Sequence, residues 1–197
     1  MKVGVLALQG DVPEHLRALG STVAGGNLKP VRTSADLAAL DALFLPGGES
    51  TTIARLMREG GLWRPLALRL EQGFPVLATC AGLILLAREL APGPSGRDPP
   101  TFGVLDVRVR RNDYGAQRES FEAPVRIEGM RGAPFPGVFI RAPRILEIGN
   151  AAEPFAWRGD EVVGVRQGSL WGTTFHPELS DDLRLHRLFL ATLRRAR

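Results

Sequence analysis

The chain holds one cysteine, Cys80, set in the stretch Ala78-Thr79-Cys80-Ala81-Gly82 between two apolar runs. A cysteine acts as a nucleophile through its thiolate, and a free thiol with a pKa of roughly 8.5 is mostly protonated at neutral pH. Residues 75–78 pattern as a short buried strand and residues 83–90 as a helix. The sulfur therefore falls on a strand-to-helix turn, where first-turn amides and the helix macrodipole favour an anion. Small flanking residues allow the sharp bend that a nucleophile elbow requires. An isolated cysteine in an apolar run is as often an inert core thiol, so Cys80 alone defines no activity.

Two further segments could complete a site. In His176-Pro177-Glu178, proline biases the histidine toward an extended backbone, where residues two apart project to one side. A carboxylate can then orient an imidazole acting as general base, the logic of a triad. In Leu45-Pro46-Gly47-Gly48-Glu49-Ser50-Thr51-Thr52, a glycine pair separates an apolar strand from a helix beginning near Thr51. Glycines there permit unusual backbone angles and close approach of amides, which the oxyanion of a tetrahedral intermediate needs. Each segment alone is compatible with a plain turn.

The elements that must position these groups follow from the hydrophobic pattern. Residues 3–8 and 42–45 are further buried-strand candidates, and Asp11 with Glu14 has the spacing of a helix start. Ser34 opens a short helix with Leu37 and Leu40. This alternation of strand and helix predicts a parallel α/β core. The second half changes to strands at residues 102–109, 121–127, 137–140 and 170–175, with a hairpin around Arg158-Gly159-Asp160 and a closing C-terminal helix. The proline-rich residues 92–100 are taken as a surface loop, so residues 1–197 are expected to form one domain.

A length of 197 residues, 44% hydrophobic and 23% charged, falls in the ordinary globular range. One cysteine gives no intrachain disulfide, the apolar stretch at the N-terminus is too short to read as a signal peptide, and no apolar run approaches about 20 residues. A soluble cytoplasmic protein without membrane association is expected. The pI of about 10.1 raises nucleic-acid binding, but a net charge of +4 is modest. The basic residues 184–197 alternate with apolar ones as on the solvated face of an amphipathic helix, so no nucleic-acid partner is expected. Three histidines, His15, His176 and His186, with no close ligand pair give no metal site, and no cofactor is expected. His15 and His186 fall in helical patterns and are taken as surface or satisfied residues.

Cys80, the glycine pair and His176-Pro177-Glu178, in this order and strand context, resemble the class I glutamine amidotransferases. The likeness is closer to their branch of glutaminase subunits that serve pyridoxal 5'-phosphate (vitamin B6) synthases. It runs nearly end to end, and is carried also by residues 4–10, 79–84, 111–112, 120–122, 138–143 and 175–179, of which Gly-Gly-Glu-Ser-Thr-Thr and Phe-Ile-Arg-Ala-Pro are the most particular. The resemblance implies a three-layer α/β fold with a central, mostly parallel sheet and added antiparallel strands in the second half. It implies glutamine hydrolysis through a cysteine thioester, with Cys80 as nucleophile, His176 as base and then acid, and Glu178 as orienter. The backbone amides of Gly48 and Ala81 would form the oxyanion hole. L-glutamine would be held by Gly48, Glu49, Ser50, Arg111, Ile140 and Arg141, an arginine suiting its carboxylate, with Arg111 and Arg141 both open for that contact. A synthase subunit of barrel fold, joined in a hetero-oligomer, would receive the ammonia, and Gln9-Gly10 is a place where it could influence the oxyanion hole. The family usually has glycine where Ala78 stands, and an ordinary β conformation is expected there. An amidotransferase of another pathway and a silent subunit that keeps only the fold remain alternatives.

Overall fold

Four apolar segments, Val3–Leu6 (β1), Ala42–Leu45 (β3), Val76–Thr79 (β4) and Leu170–Thr173 (β12), are buried along their whole length. Strands buried on both faces are the mark of a parallel sheet covered by helices on each side. In the computed structural model, which describes residues 1–23, 27–92, 98–113 and 120–195, these segments pair in parallel as β1-β3-β4-β12. Leu28–Val31 (β2) adds a parallel edge strand beside β1. Its Pro30 is compatible with that edge position, where a missing N–H costs no ladder bond.

Beyond β12 the sheet becomes antiparallel through Glu161–Gln167 (β11), Glu153–Arg158 (β10), Phe121–Ile127 (β7) and Phe135–Phe139 (β8). The complete order is β2-β1-β3-β4-β12-β11-β10-β7-β8. A second sheet of three strands, Ala87–Leu90 (β5), Leu105–Arg110 (β6) and Arg144–Ile148 (β9), lies apart from it.

The alternation of side chains along β3 divides the core in two. Leu43 and Leu45 join one cluster, with Ile53 and Met57 of Ser50–Glu59 (α3), Leu66 of Trp63–Glu71 (α4), Leu37 of Ser34–Ala38 (α2) and Leu83 of Ala81–Leu86 (α5). Ala42 and Phe44 join the other, with Leu19 of Val12–Gly20 (α1) and Leu185 and Phe189 of Arg184–Arg195 (α6). Helices thus cover both faces of the sheet, giving the three layers and added antiparallel strands that the resemblance implied. No helix among the described residues is long and apolar enough to cross a membrane.

Several local expectations are corrected. The helix of residues 83–90 ends at Leu86, and Ala87–Leu90 becomes β5, with Arg88 and Glu89 exposed. Pairing with β6 outweighs helix propensity in those last four residues. Helix α2 opens at Ser34 as expected, capped by Thr33 through a reciprocal box with Asp36, but it ends at Ala38, so Leu40 lies beyond it. Asp11 stands at the N-cap of α1, but its side chain makes no capping bond. Ala78 lies within β4 with no positive φ, as expected. Of the loop at residues 92–100, residues 93–97 lie outside the described residues.

His186 departs most from its sequence expectation. It is fully buried on α6, its ring stacked on Phe44 at a centroid distance of 5.8 Å, and neither ring nitrogen has a hydrogen-bond partner among the described residues. Burial, aided by nearby His15 and opposed by Glu178 and Asp182, holds its pKa down to about 4. The unfolded chain, with an ordinary histidine pKa of about 6.5, binds more protons between those values, so this group's contribution to stability falls as pH falls from about 6.5 to about 4. The shift corresponds to about 3 kcal/mol. Urea unfolding should therefore show the wild type losing about 3 kcal/mol more than His186→Leu across that window; parallel losses would contradict the assignment.

Candidate active site

The carboxyl ends of β1, β3, β4 and β12 are neighbours, and each delivers one part of a single cavity. A crevice at the carboxyl ends of parallel strands is the usual ligand site of open α/β sheets. The register pairs Thr173 of β12 with Thr79 of β4, and the amide of Cys80 donates to the Thr173 carbonyl at 2.8 Å. Cys80 and His176 therefore leave adjacent strands side by side. β3 leads into Gly47-Gly48, and β1 into Gln9-Gly10, whose Gln9 Oε1 accepts the Glu49 amide at 2.8 Å.

Cys80 sits at the turn from β4 into α5 with φ 46°. That left-handed backbone is strained for a side-chain-bearing residue and is the form a nucleophile elbow takes. Gly82 permits the bend, because a Cβ there would fall 2.4 Å from the Leu45 carbonyl oxygen. Asn112 and Arg141 also have positive φ, and among the described residues these three are the non-glycine residues that do. All three line the same cavity of about 220 Å³. Such strain gathers at functional sites.

Around Cys80 the cavity is lined by Gly48, Glu49, Ser50, Arg111, Ile140, Arg141 and His176, so the structure brings the sequence-derived residues together. Two stand just outside its wall. Ala81 is buried in the first turn of α5, where an amide has no intrahelical acceptor, and Glu178 lies behind His176. Arg111 is held at 3.3 Å from Glu49 and 3.4 Å from Asp98. Glu49 in turn accepts the Thr52 amide, capping α3, and the Thr51 hydroxyl. Burial works against its charge, but these donors and Arg111 outweigh burial and hold the carboxyl below its ordinary range. Ile140 presents its carbonyl to the Cys80 sulfur at 3.9 Å.

His176 is buried, its backbone amide fixed by the Val138 carbonyl at 2.8 Å. Nδ1 faces Glu178 Oε1 at 2.9 Å and Asp11 Oδ2 at 3.0 Å, while Nε2 has no hydrogen-bond partner among the described residues. A ring whose Nδ1–H is taken by carboxylates presents Nε2 as the basic nitrogen. Burial disfavours the imidazolium, but Cys80, Asp11 and Glu178 outweigh it and raise the His176 pKa well above the ordinary value. The pair forms through a different backbone from the expected extended strand: after His176 the chain turns into a short 3-10 segment, Pro177–Leu179, which folds Glu178 back under the ring.

Glu178 is buried, and its Oε1 also meets the Thr79 hydroxyl at 3.2 Å and His15 Nε2 at 3.4 Å. Burial alone would raise its pKa, yet His15 and His176 hold it well below the usual carboxylate range. Sequence reasoning missed Asp11 and His15 as neighbours of the site. The signal for them was their spacing: four residues apart at the start of a helix, they share a face, and that helix follows directly on the end of β1. Asp11, His176 and Glu178 also offer ligand atoms within 4.8 Å of one another, but these contacts are satisfied as an imidazole between carboxylates.

A doubly wound sheet with a cysteine elbow and an imidazole-carboxylate pair on the next strand defines a thiol-dependent hydrolase or transferase type of site. Comparison with known proteins narrows this further. Residues 5–195 match the SNO glutamine amidotransferase family. The Thermococcus onnurineus protein named pyridoxal 5'-phosphate synthase subunit PdxT is 50% identical over 195 residues, covering 96% of this chain and 98% of that one. The protein of the same name from Deinococcus radiodurans is 52% identical over 191 residues, covering 96% of each. A crystal structure of a glutamine amidotransferase superposes with a TM-score of 0.88 at 46% identity, covering 98% of this chain and all of the other. A glutamine amidotransferase from Thermotoga maritima, at 16% identity and a TM-score of 0.59 over 100% of this chain and 86% of that one, shares the fold. The chain belongs to the SNO glutamine amidotransferase family.

Gly47 ties the glycine turn to the imidazole. A Cβ there would lie 2.2 Å from His176 Cε1 and 2.7 Å from Nδ1, so any side chain displaces the ring. Gly47→Ala is expected to lower glutamine turnover about a hundredfold, the effect of misplacing a catalytic group by about 1 Å. Gly20→Ala, where nothing lies within 4 Å of the added carbon, should leave turnover unchanged. Equal activity of the two variants in a coupled glutamate assay would refute this placement.

Proposed function

We propose that this chain is the glutaminase subunit of a pyridoxal 5'-phosphate synthase, hydrolysing L-glutamine to L-glutamate and ammonia at Cys80. The observation that carries the chemistry is the His176 ring, locked through Nδ1 onto buried Glu178, with Nε2 taken by no other hydrogen-bond partner among the described residues and Cys80 beside the ring in the same cavity. The names of relatives that are half identical over nearly the whole chain supply the pathway.

In this mechanism His176 Nε2 takes the thiol proton, and the sulfur attacks the side-chain amide carbon of glutamine. The oxyanion of the tetrahedral intermediate is held by the backbone amides of Gly48 and Ala81, neither of which donates to a backbone acceptor among the described residues. The intermediate collapses as the C–N bond breaks, and His176 gives its proton to the departing nitrogen, releasing ammonia and leaving a γ-glutamyl thioester. A water molecule, deprotonated by His176, then hydrolyses the thioester to glutamate and restores the thiol. Glu178 holds the imidazole in the required tautomer and balances its charge.

Glutamine is held by Gly48, Glu49, Ser50, Arg111, Ile140 and Arg141. Arg111 is fixed in advance by Glu49 and Asp98, and Arg141 is exposed at the mouth of the cavity. A carboxylate-bearing ligand suits these two cations. Residues 1–197 act as one glutaminase domain. The protein works in the cytoplasm, where a lone catalytic thiol stays reduced, and it assembles with a barrel-fold synthase subunit in a hetero-oligomer that receives the ammonia. The intact set of Cys80, His176 and Glu178 argues against a silent subunit, and the pathway named for the relatives argues against another amidation route.

Glutamate release measured with and without the synthase subunit tests both parts. Turnover should rise when the synthase is present, and Cys80→Ala should abolish it; unchanged turnover in that variant would remove Cys80 from the chemistry. Cells lacking vitamin B6 synthesis should grow when given this chain with a compatible synthase. Failure of that rescue, with glutaminase activity intact, would move the enzyme to another pathway.

A further inference from the structure

Helix α1 brings two residues of one face to the back of the site. Asp11 at its N-cap reaches His176, and one turn further on His15 reaches Glu178. His15 is fully buried and does not line the cavity, so it does not touch glutamine. Its Nε2 lies 3.4 Å from Glu178 Oε1 and 3.3 Å from Thr79 Oγ1. The Thr79 hydroxyl has one proton, and at 3.2 Å it is placed to donate to that same Oε1. A carboxylate offers only lone pairs, so the ring nitrogen facing it carries the proton. With the Thr79 proton spent on Glu178, His15 Nε2–H donates to the Thr79 oxygen at 3.3 Å and lies 3.4 Å from Glu178 Oε1 as its ion-pair neighbour.

Resting on the triad assigned above, we propose that His15 is a positioning residue for catalysis: its Nε2–H holds the Thr79 hydroxyl, which donates to Glu178, and with its own close approach to Oε1 this fixes Glu178 as an ionised carboxylate aimed at His176 Nδ1. A buried carboxylate without donors takes up a proton instead of keeping its charge. A protonated Glu178 would no longer fix the His176 tautomer or balance the imidazolium. Burial works to neutralise Glu178, and His15 leads the groups that oppose it, ahead of His176 itself. The titratable groups that face Glu178 are His176 on its own segment, His15 from α1 and His186 from α6, with Asp11 across the imidazole. Among the described residues neither nitrogen of His186 has a hydrogen-bond partner, which leaves His15 as the histidine behind the pair that is linked to it, through Thr79 and the 3.4 Å contact with Oε1.

The test compares His15→Leu, which keeps the bulk and removes the donor, with His15→Gln, whose amide nitrogen can occupy the place of Nε2, in the full chain assembled with its synthase. His15→Leu is expected to lower kcat about tenfold, the equivalent of one buried hydrogen bond, with KM for glutamine little changed. The acid limb of its kcat profile should move to higher pH, because Glu178 then protonates more readily. His15→Gln should recover most of kcat and return the acid limb. Wild-type kcat and acid limb in His15→Leu, or equal impairment of both variants, overturns the proposal. If His15→Leu does not fold, the imidazole nitrogens of the isotope-labelled wild type decide. Nε2 of His15 should give a protonated-nitrogen resonance that shifts on Glu178→Gln, and an unprotonated Nε2 overturns the proposal. Cys80→Ala run alongside separates the two levels: an inactive Cys80→Ala with an unaffected His15→Leu removes only the role of His15, whereas an active Cys80→Ala removes the triad.

Discussion

A single negative charge, the Glu178 carboxylate, sits in the interior between a sheet and a helix. Such a charge is tolerated only where polar partners support it, and those of its Oε1 come from three places: His176 two residues before it, Thr79 at the end of β4, and His15 on α1, which donates to that threonine and lies 3.4 Å from the carboxylate. The pairing of β4 with β12 and the seating of α1 on the sheet are both needed to assemble them. The fold and the polarity of the imidazole are therefore one problem. The contacts that keep the carboxylate ionised also decide which nitrogen of His176 faces Cys80.

Around that fixed charge the cavity wall is strained. Cys80, Asn112 and Arg141 each hold a left-handed backbone that costs of order 1–3 kcal/mol. The strain is supported by the central sheet and the helix packed on it. Cys80 is gripped through its amide by Thr173, and α5 lies so close to β3 that position 82 admits no side chain. Arg141 stands two residues past the end of β8, whose Val138 carbonyl also holds the His176 amide. Two hydrophobic clusters, one on each face of the sheet, supply the stability that offsets this strain.

Much of this was legible in the sequence for a physical reason. Short, continuously apolar segments bounded by turns fit strands buried on both faces, which implies parallel pairing and helical cover. A nucleophile at a strand-to-helix turn and a glycine pair at another then fall at the same end of the sheet. What stayed hidden was set by tertiary contacts. Residues 87–90 carry helical propensity yet pair with β6. His15 and His186 sit in helical patterns that fit the surface equally well, and only the docking of α1 and α6 buries them. The mutual approach of His176 and Glu178 was anticipated from an extended segment, whereas a 3-10 turn produces it. Two-residue spacing is compatible with both geometries, so the sequence could indicate the partnership without the backbone.

Two carboxylates meet one nitrogen, and their unequal burial separates their roles. Glu178 has no exposed side-chain surface, whereas Asp11 is 30% exposed and borders the cavity. A charge in contact with solvent is screened and can be replaced by water. A charge in the interior is neither, so its field on the imidazole persists whatever occupies the cavity. In the proposed mechanism Glu178 is then the permanent orienter, fixed from behind by His15 and Thr79. Asp11 sits beside Gln9-Gly10, the turn at which sequence reasoning placed the influence of a synthase. Its hold on Nδ1 depends on the position of that turn, whereas the hold of Glu178 depends on the core. A change at the turn would thus reach His176 through Asp11 while leaving the buried orienter in place.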